Sequence, residues 1–251
     1  LATTVAFVDA ANGDFHLAWN DTGAALAGAN LSADVNLAFS TDIDSQTRGT
    51  LWDIGADQLM KNVYYSAGQN TNDHKTGSPT VTIASGVATF SVAQTATNLG
   101  VGDKVTYGGS TVAYISGKVS TTQWYVVTAA GAPAADVTGA TVNSIAHPFA
   151  SLSAAVSGAS GASYLNTAKL VTGNFVLNIP CYYDTGADTT AFQIISWTAG
   201  PNNYIRVYTP NDTTTECNLS QRHSGKWNAT KYNVYHTATA DSQYAMYIVD
   251  T

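Results

Sequence analysis

From residue 175 to the end of the chain, short apolar runs recur with no helical pattern between them. They read FVLNIPCYY (175–183), FQIISW (192–197), YIRVY (204–208), KYNVY (231–235) and YAMYIV (244–249). Each is rich in Val, Ile, Tyr or Phe and is bounded by Gly, Asn, Asp, Thr or Pro, which predicts strands separated by turns. Just upstream, in HPFASLSAAV (147–156), the period changes. Phe149, Leu152 and Val156 recur at helical spacing, and Pro148 stands where a first helical turn tolerates it. A short amphipathic helix followed by strand after strand predicts the capped start of a parallel β-helix.

A second pattern occupies residues 76–145. TVTIA (80–84), VATFSVA (87–93), DKVTY (103–107), TVAYIS (111–116), QWYVVTA (123–129) and ATVNSI (140–145) alternate apolar and polar positions. Turn residues separate them, including Ser85-Gly86 and Gly108-Gly109. Five or six antiparallel strands of this length predict a small barrel or sandwich. At the other end, LATTVAFV (1–8) predicts an apolar strand that turns through residues 9–13.

Charged residues make up only 11% of the chain, against roughly 25% in an ordinary soluble domain, while the hydrophobic share is 45%. The polar surface therefore comes from Thr, Ser, Asn and Gln, a balance that suits extracellular β-rich proteins. A formal net charge of −7 argues against nucleic acid as a partner. No apolar run reaches the ~20 residues that span a bilayer. With neither an initiator Met nor a signal peptide, the chain reads as a mature product or a piece of something longer. Cys181 and Cys217 fit neither a metal site nor a redox pair. They either form a disulfide, whose loop-closure term is about 3–4 kcal/mol, or remain two buried thiols.

Residues 14–58 carry a resemblance. Asp14-Phe15-His16-Leu17, then Asp42-x-Asp44 with Arg48, then Asp53-Ile54-Gly55-Ala56, resemble the closing coil of secreted right-handed β-helix proteins of the pectin-lyase-like class. Gly23, Ala24 and Ala25 stand where such families carry Ser-Pro-Ala. NVYYSAGQNTND (62–73) resembles the opening end of the same class. The resemblance implies closing β-helix coils over 1–60, an opening strand and turn over 61–75, the inserted antiparallel β domain over 76–145, and a cap helix with the first coils over 146–251. The expected class is all-β: right-handed parallel β-helix portions at both ends, with an inserted small antiparallel β-barrel or sandwich.

Candidate chemistry is sparse. Asp42 and Asp44 offer oxygen ligands for calcium, but without the rest of a loop motif a tight turn explains them more cheaply. A polysaccharide lyase would need clustered acids and a base. Arg206 is the one candidate base on the strand ladder, and Asp184 is the nearest carboxylate. The five histidines, His16, His74, His147, His223 and His236, are dispersed without metal-ligand spacing. The ladder tyrosines suit sugar stacking or, more readily, interior packing. No catalytic set, metal or cofactor is expected.

The sequence therefore reads as an extracellular or cell-surface structural protein, a fibre or appendage subunit whose partners are copies of itself joined head to tail. Leu1, Val5, Phe7 and Val8 at one end, and Tyr244, Met246, Tyr247, Ile248 and Val249 at the other, are the expected assembly residues. The alternative is a glycan-binding or polysaccharide-degrading module of a larger secreted β-helix protein, or a phage tail-fibre fragment.

Overall fold

The computed structural model describes residues 4–18, 21, 23–25, 27–48, 52–237 and 244–248. In chain order these form β1 (Phe7–Asp9), a 3-10 turn (Ala10–Asn12), β2 (Asp14–Leu17), β3 (Lys61–Tyr64), β4 (Thr80–Ala84), β5 (Val87–Phe90), β6 (Lys104–Tyr107), β7 (Thr111–Lys118), β8 (Gln123–Val127) and β9 (Val137–Ala146). Helices α1 (Leu152–Gly158) and α2 (Leu170–Gly173) follow, then β10 (Phe175–Pro180), β11 (Phe192–Ile194), β12 (Ile205–Tyr208) and β13 (Met246–Ile248). The chain is all-β, and it divides into two compact units.

The larger unit comprises residues 63–168, 177–197 and 205–251. Its centre is a closed six-stranded antiparallel barrel in the order β4-β5-β8-β7-β6-β9. The period-2 pattern explains it: Val81 and Ile83, Ala88 and Phe90, Val105 and Tyr107, and Trp124 and Val126 point inward as buried pairs. Ser85 and Gly86 both have positive φ, 49° and 75°, so β4 and β5 are joined by the two-residue turn whose twist matches a hairpin. Closure removes the free edges that an open sheet of this composition would expose.

The strands beyond the barrel pair in parallel. Leu177 to Pro180 of β10 match Ile205 to Tyr208 of β12, and Phe192 to Ile194 of β11 match Met246 to Ile248 of β13. Ala67 bridges both Phe149 and Cys181 in parallel, and Asp188 bridges Val234. The run KYNVY (231–235) departs from its expected strand: among the described residues it holds only that single bridge, made by the Asp188 amide to Asn233 O and the Tyr235 amide to Asp188 O. Helix α1 begins at Leu152, later than the apolar spacing predicts. The Ser151 hydroxyl caps it by accepting from the Ala154 amide, while Asp188 accepts from the Leu152 amide at 2.7 Å. Phe149 stays extended and bridges Ala67 instead.

The smaller unit comprises residues 1–62, 169–176 and 198–204. Where closing β-helix coils are expected over 1–60, the described strands are the antiparallel hairpin β1–β2, and the bridges Gly28–Trp52 and Thr41–Thr47 are antiparallel too. The resembling residues have local reasons to be there. Arg48 is buried, lies over the Phe39 and Trp52 rings, and donates to Asp53 O at 3.2 Å and Gly55 O at 2.6 Å. Asp42 closes its turn by accepting from the Asp44 and Gln46 amides.

Cys181 and Cys217 are both buried and, in this structure, both free. Burial pushes each thiol up to about 12. Among the described residues, no helix is long and apolar enough to cross a membrane.

Candidate functional site

The expected assembly residues fall on two edge strands. Phe7 and Val8 lie on β1, and Met246, Tyr247 and Ile248 on β13, each strand in a two-stranded sheet with every residue exposed. Ile248 is 60% exposed, and Tyr244 just before β13 is equally open. Val5 is half-buried; Leu1 and Val249 lie outside the described residues. The ladder tyrosines divide. Tyr182 and Tyr232 are buried, with their hydroxyls donating to Val101 O (2.9 Å) and Asp188 Oδ2 (3.0 Å), whereas Tyr204, Tyr235, Tyr244 and Tyr247 are exposed.

Within the larger unit, the structure assembles a buried ionic cluster that sequence spacing does not reveal. The barrel turn before β6 supplies Asp103, the segment after β9 supplies His147, the segment after β10 supplies Asp184, and residues beyond β3 supply Ser66 and His74. Asp103 is fully buried and accepts four hydrogen bonds. The Ser66 hydroxyl (2.6 Å) and His147 Nδ1 (2.7 Å) reach Oδ1; His74 Nε2 (3.1 Å) and the Gly100 amide (3.0 Å) reach Oδ2. The other nitrogen of His147 faces Asp184 Oδ1 at 3.2 Å. Asp184 is fixed in turn by the Asn98 side-chain amide and by the Gln69 and Asn70 backbone amides. Tyr182 stacks on the His147 ring at 5.0 Å. Gly68 is required here, because a Cβ at that position would collide with the Asp184 carboxylate and the His147 ring.

The electrostatics follow from the donor count. Both nitrogens of His147 face carboxylates, which only accept when ionised, so the ring is the doubly protonated imidazolium. Burial alone would lower its pKa, but the charge of Asp103 and hydrogen bonds to both carboxylates raise it to about 9. Burial alone would raise Asp103; the charges and hydrogen bonds of His147 and His74 override that and hold it far below its ordinary range. Asp184 is lowered against its own burial by the His147 hydrogen bond and charge and by Asn98.

This arrangement has the make-up of a lock. Ser66 lies beside a histidine and an aspartate, but an imidazolium has no lone pair to accept the serine proton, and all three groups are buried. His74, Asp103 and His147 bring three ligand-type atoms within 4.8 Å of one another, yet both nitrogens of His147 are engaged as donors. Three of the four donors to Asp103 come from outside residues 76–145, so the barrel is fastened to the segments around it by charge as well as by chain. The lyase candidates are not brought together: Asp184 belongs to the lock, while Arg206 lies over the Tyr208 ring at 4.1 Å.

Compared with protein-family models, with curated proteins and with solved structures, the chain matches none of them.

Proposed function

We propose that this chain is a structural subunit of the cell exterior, a parallel β-helix interrupted by the barrel, whose copies join head to tail by strand addition. The observation that carries the reading is β13: an apolar strand, hydrogen-bonded in parallel on one side to β11, with all three residues exposed. An exposed apolar edge recruits a further strand. The exposed β1 is the complementary edge, and a contact between unlike edges does not close, so it propagates. The parallel pairings of β10 with β12 and of β11 with β13 support the β-helix part of the proposal, and the uncharged polar surface supports the exterior location. Sedimentation of the intact chain over a range of concentrations tests it. Association should grow with concentration and disappear in Met246→Lys/Ile248→Lys. A chain that remains monomeric at high concentration overturns the proposal.

A glycan-binding role is the second reading, favoured by one observation. Trp227 is 69% exposed yet held in place, stacked on His223 at 5.3 Å. His223 is itself fixed, with Nε2 donating to Tyr232 O and Nδ1 accepting from the Asn228 amide. A rigid exposed indole beside Lys226 suits a sugar face. Titration with neutral and acidic oligosaccharides should quench Trp fluorescence in the parent and not in Trp227→Ala. Equal responses in both refute this reading.

A further inference from the structure

On the outer wall of the barrel, a lysine without a counter-ion and a buried tyrosine without a hydrogen-bond partner share one small cavity. We infer that Lys104 and Tyr114 form a binding site for the carboxylate of a small organic acid, whose hydrocarbon body lies against the apolar part of the same wall.

The strand register brings the two side chains together. Lys104 of β6 pairs directly with Tyr114 of β7. Their neighbours Val105 and Ala113 point into the barrel core, so by alternation Lys104 and Tyr114 face outward. A second layer covers them there: the Tyr65 ring meets Tyr114 edge-on at 5.1 Å, and the Tyr164 ring lies at 6.4 Å. Under this cover is a cavity of about 170 Å3, lined by Lys104, Val112, Tyr114, Ala129, Ser163 and Tyr164.

Two observations on different groups call for a ligand. Tyr114 is only 3% exposed, yet its hydroxyl has no hydrogen-bond partner among the described residues. Buried tyrosines elsewhere in the same unit do find one: Tyr65 donates to Ala129 O, Tyr182 to Val101 O and Tyr232 to Asp188 Oδ2. Lys104 is the second. It is half-buried, and among the described residues its ammonium has neither an ion pair nor a hydrogen bond, although acids outnumber Lys and Arg by 17 to 10 in the chain. Water satisfies a phenol, but it does not neutralise an ammonium.

Charge and donor type select the ligand. Lys104 is the single charged residue of the six that line the cavity, and its ammonium can only donate. Burial raises the Tyr114 phenol well above its ordinary value, so it too keeps its proton and donates. The Tyr164 hydroxyl reaches Pro148 O only at 3.5 Å, longer than an ordinary hydrogen bond, and is free to turn towards the cavity. One positive charge with hydroxyl donors beside it matches a group that carries one negative charge and only accepts, which is a carboxylate. Val112, Ala129 and the two tyrosine rings make up the rest of the wall and suit a hydrocarbon body, not a second charge.

The test titrates the full chain, labelled at tyrosine for NMR, with sodium benzoate. Benzamide serves as the uncharged counterpart and sodium sulfate as the inorganic anion. Benzoate should bind saturably in the millimolar range and move the ring resonances of Tyr114 and Tyr164, while benzamide and sulfate bind at least tenfold more weakly. Lys104→Gln should weaken benzoate binding at least tenfold. Tyr114→Phe, which keeps the ring and deletes the hydroxyl, should weaken it about tenfold. Arg222→Gln removes the same charge elsewhere and should change nothing. Dispersed barrel amide resonances establish that each variant is folded. The inference is overturned if benzoate does not saturate, if benzamide or sulfate binds as well as benzoate, or if Lys104→Gln or Tyr114→Phe binds benzoate as the parent does.

Discussion

Replacing His147 by Gln should change how stability depends on pH, and the size of the change can be worked from the lock. In the folded chain His147 titrates at about 9 against an ordinary 6.5. At about 1.4 kcal/mol per pH unit, that difference is about 3 kcal/mol. Because the folded value is the higher one, the contribution is complete below pH 6.5 and is lost as pH rises towards 9. The carboxylates act in the opposite sense. Asp103 and Asp184 are held below 3.8, so their share is present above about pH 4 and is lost as pH falls through their folded values. The shifts of His147 and its two partners describe the same contacts and are counted once. Stability should thus be greatest between about pH 4 and 6.5. Urea unfolding followed by Trp fluorescence measures this: with an m-value of about 2 kcal/mol/M, the parent midpoint should fall by about 1.5 M between pH 6.5 and 9. His147→Gln leaves two buried carboxylates facing a neutral amide, which costs about 3–5 kcal/mol at pH 6 and should flatten the curve above it. Direct nitrogen NMR of the ring gives a check independent of the variant's folding, since both nitrogens should be protonated at pH 7.5. A parent midpoint constant from pH 6.5 to 9, or a lone pair on either nitrogen at pH 7.5, would refute the reasoning.

Further outcomes follow from the same geometry. Ser66→Ala removes one of four donors to a fully buried carboxylate and should lower stability by about 1–3 kcal/mol in the same urea assay. Gly68→Ala forces a methyl against Asp184 and His147 and should cost at least as much, about 1–3 kcal/mol or more, with the His147 ring resonances displaced. Ile115→Ala opens a cavity at a wholly buried barrel position and should cost about 2–5 kcal/mol, read as a lower thermal midpoint. Cys181 and Cys217 should be silent to a thiol reagent in the native chain and both react in denaturant, with no change in stability on adding reductant; a denatured chain with no free thiol would restore the disulfide.

What the sequence by itself determined was the part governed by neighbouring residues. Period-2 alternation over 80–145 predicted five or six strands and Ser85-Gly86 a turn between two of them; the structure closes six strands into the barrel. These signals act within a few residues of one another and so are legible one at a time. Four of the five runs after residue 175 hold strands for the same reason, with the exposed β13 in the last of them, whereas 231–235 keeps a bridge alone. The helix start was blurred because Phe149 fits a helical stripe as well as an extended bridge, and the choice rests on Ser151 capping and on Ala67, eighty-two positions away. The tertiary structure alone decided the rest. Whether strands beyond the barrel pair in parallel depends on partners 28 or 54 residues apart, Leu177 with Ile205 and Phe192 with Met246. The lock joins Ser66, His74, Asp103, His147 and Asp184, and His16 meets Asp44 across twenty-eight positions; each residue reads locally as a turn or edge residue. Only when the fold excludes water from Asp103 and turns both nitrogens of His147 towards carboxylates do ordinary loop residues become a charged cluster, because burial is what makes an unpaired charge too costly to leave alone.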